Sequence, residues 1–227
     1  MKNKHAQFRT MLIPPDKVRK RLIIIFGIAF IFLAIQVRFH TIFIQVIDAA
    51  SDFVVHGILA TKVPLFFSLG HFFANYWVVI LMILVVVSFL SFINYQVAAW
   101  WFGIMQVLGM LVTWLITFIL RIHWQDGPQL GETIPSLLLM WWMQILLIVI
   151  IIVSHLVKSR NIQIVFCILL VSFWSIIMLD RIFSYNMAFT SGLGAMTFGY
   201  SWWQFSAKQY YEHAKHWQKV LKIDGRV

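Results

Sequence analysis

The sequence predicts an all-α membrane protein: a six-transmembrane-helix bundle with an extracytoplasmic amphipathic segment between helices 1 and 2. Three observations predict it. Hydrophobic residues make up 61% of the chain and charged residues only 11%, far from the balance of a soluble domain. A hydrocarbon core about 30 Å thick calls for roughly 20 mostly apolar residues per helical crossing, and several runs of that length alternate with polar material. Basic residues crowd the two ends, next to membrane segments, as in the positive-inside pattern. A single membrane domain covers 1–227, with a basic cytoplasmic tail (1–20), the bundle (21–206) and a second basic, amphipathic cytoplasmic tail (207–227).

The first crossing, 21–38, rests on "LIIIFGIAFIFLAIQV" after a basic stretch. It is long for a signal-peptide core, and no A-x-A-like cleavage signal follows it. The segment 39–75 is mixed. Asp48, Asp52, His56 and Lys62 interrupt it, while Phe43, Ile47, Val54 and Ile58 recur at helical intervals, which predicts an amphipathic surface helix ending near Pro64. Further crossings are expected at 76–93, 98–120, 136–157, 161–179 and 187–206. In the last of these, "GLGAMTFG" (192–199) spaces small residues for close helix packing.

Six crossings put both termini on one side, together with the turn "KSRN" (158–161). Every Lys and Arg except Arg38, Lys62, Arg121 and Arg181 then falls on that side, so both termini are expected in the cytoplasm of an integral, multi-pass cell-membrane protein. The net charge of +10 is thereby assigned to anionic lipid headgroups and not to nucleic acid.

The outer face gathers the polar residues of interest. Arg121 ends the third crossing and leads into a loop with the turn signal Asp126-Gly127-Pro128. Pro135-Ser136 opens the fourth crossing. Asp180-Arg181 ends the fifth, just before the sixth. This layout resembles the type 2 phosphatidic acid phosphatase family. Its first motif is Lys, six residues, Arg-Pro, and here Trp114, Arg121 and Ile122 stand in those places. Its second, Pro-Ser-Gly-His, corresponds to Pro135, Ser136, Leu137 and Leu138. Its third, Ser-Arg, five residues, His, three residues, Asp, corresponds to Asp180, Arg181, Met187 and Ser191. The resemblance runs in order from about residue 45 to 205, with Arg121, Pro135, Ser136 and Arg181 as the retained identities.

The resemblance implies six crossings and an extracytoplasmic site at which an Asp-oriented His attacks phosphorus and a second His protonates the leaving alkoxide. Met187 cannot form a phospho-enzyme, Leu138 cannot donate a proton, and Ser191 is a poor orienter. Removing such a unit leaves mainly binding. The expected protein is a catalytically defective relative, a pseudoenzyme with no catalytic residue. It binds an anionic lipid or polyprenyl phosphate through Arg121, Ser136 and Arg181, or serves as an accessory subunit to a membrane partner in cell-envelope lipid metabolism. Plainer roles stand beside this. A boundary Arg snorkels to headgroups, Ser136 caps a helix, and Asp180 pairs with Arg121 or Arg181 and itself fills the anion site.

Competing functions are an active lipid phosphatase with a reorganised site using His123 or another group, a small lipid transporter or scramblase, and a structural assembly protein. His40, His56 and His71 share the outer face as interfacial or loop residues. Gln106 and Gln144 are among the few polar residues near crossing centres, which argues against a transport path. No HExxH, Gly-rich phosphate loop or zinc spacing occurs, so no cofactor or metal is expected, and His213 and His216 lack further ligands. Cys167 reads as a small core residue. Trp100-Trp101, Trp141-Trp142 and Trp202-Trp203 serve interfacial belts or helix packing.

Overall fold

The computed structural model describes residues 12–13, 18–59, 64–120, 134–157, 159–185 and 187–220. All regular structure among them is helical. Helix α1 is Arg19–Arg38, α2 is Ile42–Phe53 with a π-helical continuation Val54–Leu59, and α3 is Pro64–Phe73. Helix α4 is Tyr76–Phe92, α5 is Gln96–Leu120, α6 is Leu137–Leu156, α7 is Arg160–Tyr185 and α8 is Phe189–Val220.

Five stretches are long and apolar enough to cross a bilayer: α1, Ile42–Leu59, α5, α6 and α7. A sixth arises if Phe67–Phe73 and Tyr76–Phe92, bent by 66°, form one span. The protein is therefore an all-α chain with the helices of a multi-pass membrane protein. Two features differ from the reading of the sequence. The amphipathic segment is a helix of spanning length, and the proline expected to end it starts a new helix instead. Proline suits a first helical turn, where its missing N–H has no partner to lose. Helix α8, in turn, is not among the long apolar stretches.

Helix α8 is enclosed over its first turns, and its charged residues lie in its more exposed later turns. It packs on α1, α6, α5 and α2, and the small residues Gly192, Gly194, Ala195 and Gly199 face those neighbours. A Cβ on Gly199 would stand 3.3 Å from Met140 Cγ, and one on Gly192 would collide with the Met178 side chain. The small-residue stripe thus serves close packing inside the bundle. No Gly or Pro occurs between residues 207 and 220, and α8 continues unbroken to Val220. The face of Ala207, Tyr210 and Ala214 is buried, and Trp101 meets Tyr210 at a ring distance of 5.0 Å. Helix α1 turns one face to α8, where Ser201 Oγ donates to Ile23 O at 3.1 Å. Ile24, Ile28 and Phe32 on its other side are exposed, as a lipid-facing surface requires.

Buried and half-buried tryptophans tie helix to helix. Trp101 Nε1 donates to Ser206 O at 3.1 Å, Trp174 to Leu139 O at 3.1 Å, and Trp202 to Met105 O at 3.2 Å. A buried indole N–H needs an acceptor, and each of these finds a carbonyl on a neighbouring helix. Trp100, by contrast, is exposed. Gln106 Nε2 donates to Gln144 Oε1 at 3.5 Å between α5 and α6, while Gln106 Oε1 and Gln144 Nε2 are buried without a partner.

Candidate functional site

One end of the bundle collects the start of α6, the end of α7 and the start of α8. Ser136 takes the N-cap position of α6 without a side-chain capping bond, and its backbone N–H reaches Ser191 O at 3.4 Å. The Met187 N–H donates to Arg181 O at 3.2 Å, folding the α7–α8 connection back onto α7. Ser136, Arg181, Met187 and Ser191 are thus carried by segments tied to one another, and all four are buried. Leu138 is wholly buried in the core. Trp114 lies elsewhere. It is 67% exposed and stacks on Phe118 at 6.1 Å, on the outer surface of α5. Arg121 and His123 lie outside the described residues.

Helix α7 runs past residue 179 to Tyr185, so Asp180 and Arg181 sit inside a helix and not in a connecting loop. They are 1% and 4% exposed. Two partners explain how charge is tolerated there. Gly70 lets α3 approach α7 closely, since a Cβ on it would stand 2.6 Å from Asp180 Cβ and 3.0 Å from Ile176 O. The chain then breaks at Ala74 and Asn75. Asn75 Oδ1 accepts from Trp77 N at 2.9 Å and caps α4, while the last carbonyls of α3 have no helical N–H to meet. Trp142 Nε1 serves Phe73 O at 2.9 Å and Arg181 Nη1 serves Ala74 O at 3.3 Å.

The guanidinium carbon of Arg181 lies 4.0 Å from the Tyr185 ring centroid and 5.9 Å from that of Tyr76. Desolvating an ion costs several kcal/mol. A carbonyl at the negative end of α3 and two aromatic faces each return on the order of 1–2 kcal/mol. Asp180 Oδ1 accepts from Ser184 Oγ at 2.8 Å, and its Oδ2 faces His71 Nδ1 at 3.7 Å. The His71 side chain is 63% exposed and stacks on Tyr185 at 5.9 Å. His56 accompanies it, paired with Asp52 at 2.9 Å and 3.2 Å from Phe183 O.

A further carboxylate, Asp48 on α2, holds the start of α8. Its Oδ1 accepts from Thr190 N and its Oδ2 from Thr190 Oγ1, both at 2.9 Å. A helix N-terminus favours a negative charge, and here the chain provides its own. The sequence reading marked Asp48 only as an interruption of an apolar pattern and His71 only as interfacial. No local signal joins residues 142 positions apart. Comparison with family models, with curated proteins and with solved structures returns no match.

Proposed function

We propose that this chain is a six-crossing, phosphatidic-acid-phosphatase-like membrane protein with both termini cytoplasmic. It binds the headgroup of a lipid or polyprenyl phosphate at the outer end of its bundle without hydrolysing it, alone or beside a membrane-protein partner. The observation that carries this is the joining of the segments that hold Ser136, Arg181, Met187 and Ser191 at one end. Of the positions that would hold imidazoles in the family, Leu138 and Met187 are buried apolar side chains. Arg181 supplies a fixed, buried cation there, and a guanidinium presents its N–H donors in a planar fork suited to phosphate. Arg121 supplies the second cation of this reading, and Ser136 a hydroxyl.

Binding of short-chain phosphatidic acid to the purified protein tests the assignment. Arg121→Ala is expected to weaken it roughly tenfold or more, the effect of losing a charge-assisted pair. Arg181→Lys is the companion variant, since it keeps a buried cation while giving up the planar fork. Unchanged binding in the Arg121→Ala/Arg181→Lys double variant contradicts the site.

A second reading, an active phosphatase with a reorganised site, draws on the His71–Asp180 pair. An exposed imidazole beside a buried carboxylate is the arrangement of a nucleophile and its orienter. That reading requires an acid-labile phosphohistidine on His71 after incubation with lipid phosphate, abolished by His71→Ala. Absence of label on wild-type protein eliminates it.

A further inference from the structure

Helix α1 has α8 as its principal partner and α5 has α4, which leaves a groove between α1 and α5 near the ends marked by Arg38 and Leu120. Its cavity measures about 260 Å³. Phe30, Ala34, Ile116, Ile119 and Leu120 contribute apolar wall, and Arg38, the exposed last residue of α1, joins the lining. From Phe30 to Arg38 the α1 wall is ~12 Å long at a rise of ~1.5 Å per residue. That is close to half of a hydrocarbon core about 30 Å thick, the depth of one leaflet.

An apolar slot one leaflet deep, with a guanidinium where the crossing ends, complements a lipid with a negative headgroup. A zwitterionic headgroup brings its own ammonium to compete with Arg38 for the phosphate, whereas an acidic one does not. We propose that the α1–α5 groove binds one acidic glycerophospholipid, with an acyl chain along the apolar wall and the headgroup phosphate on Arg38. This site goes beyond the outer-end reading and shares no residue with it. Simple snorkelling of Arg38 would also draw headgroups, but it would not depend on the groove.

Native mass spectrometry of the full chain in mild detergent, titrated with phosphatidylglycerol or phosphatidylcholine, separates these cases. The wild-type protein is expected to retain one phosphatidylglycerol in preference to phosphatidylcholine. Arg38→Gln should lower phosphatidylglycerol retention about tenfold, and Arg38→Lys should restore most of it. Ile119→Trp, which fills the groove from a position 66% exposed, should lower retention of both lipids. Ile164→Trp, on the lipid-facing side of α7 and 50% exposed, should lower neither. The positions changed are exposed, so all four variants should melt like the wild type. Equal retention of the two lipids by wild-type protein overturns the proposal. So does undiminished phosphatidylglycerol retention in both Arg38→Gln and Ile119→Trp.

Discussion

Arg181 shows how a buried charge can hold neighbouring helices together. Its guanidinium closes the end of α3 through Ala74 O and rests on Tyr185. Removing it leaves a carbonyl without that donor, and the neighbouring Asp180 carboxylate without a nearby cation. Arg181→Ala is expected to destabilise the fold by about 2–4 kcal/mol, and Arg181→Lys by less, as read from thermal melting in detergent. Gly70 carries a sharper constraint. With Asp180 Cβ and Ile176 O so near, Gly70→Ala should push α3 from α7 and cost about 1–3 kcal/mol. The same melting series tests it, and an unchanged Tm would show that the helices meet less closely. Arg181 was legible in the sequence as a cation at a membrane edge. Its burial was not, because the residues that receive it, Ala74, Tyr76 and Tyr185, carry no pattern that points to a guanidinium.

At the scale of the element, α8 packs on α1, α6, α5 and α2, and its first turn depends on a distant carboxylate. Asp48→Ala removes both acceptors from Thr190 and should cost about 1–2 kcal/mol, the range of an N-cap loss. Asp48→Asn keeps one acceptor oxygen and should recover part of that. Hydrogen exchange should localise the effect to Thr190 and its neighbours, whereas uniform exchange along α8 would place the role of Asp48 elsewhere. The apolar runs that became α1, α4, α5, α6 and α7 were readable because composition and length alone specify a spanning helix. The extent of α8 was not, since its later turns are polar and its burial arises from Trp101 and other residues far along the chain. The start of α4 at Tyr76 agrees with the crossing expected at 76–93, whereas the separate helix Pro64–Phe73 before it was not legible, because "SLGHF" and the residues around it carry no cap that marks it. Only Asn75, a cap residue, marks the start of α4.

For the whole molecule, five or six helices long and apolar enough to span define a membrane protein, and the proposed orientation rests on the distribution of Lys and Arg. Single cysteines placed at the two ends of a Cys167→Ala chain should both be labelled from the cytoplasmic side in intact cells, and a cysteine in the 121–133 region from the outside. Labelling of the two ends from opposite sides would require an odd number of crossings. In the proposed orientation the end that holds Ser136, Arg181, Met187 and Ser191 faces outward. Turnover is the most direct test of the account. Purified wild-type protein in nanodiscs is incubated with phosphatidic acid labelled in its phosphate, and retained lipid and freed phosphate are followed together. The account predicts lipid retained and phosphate release at the level of protein-free nanodiscs. Sustained release, or no retention, contradicts it.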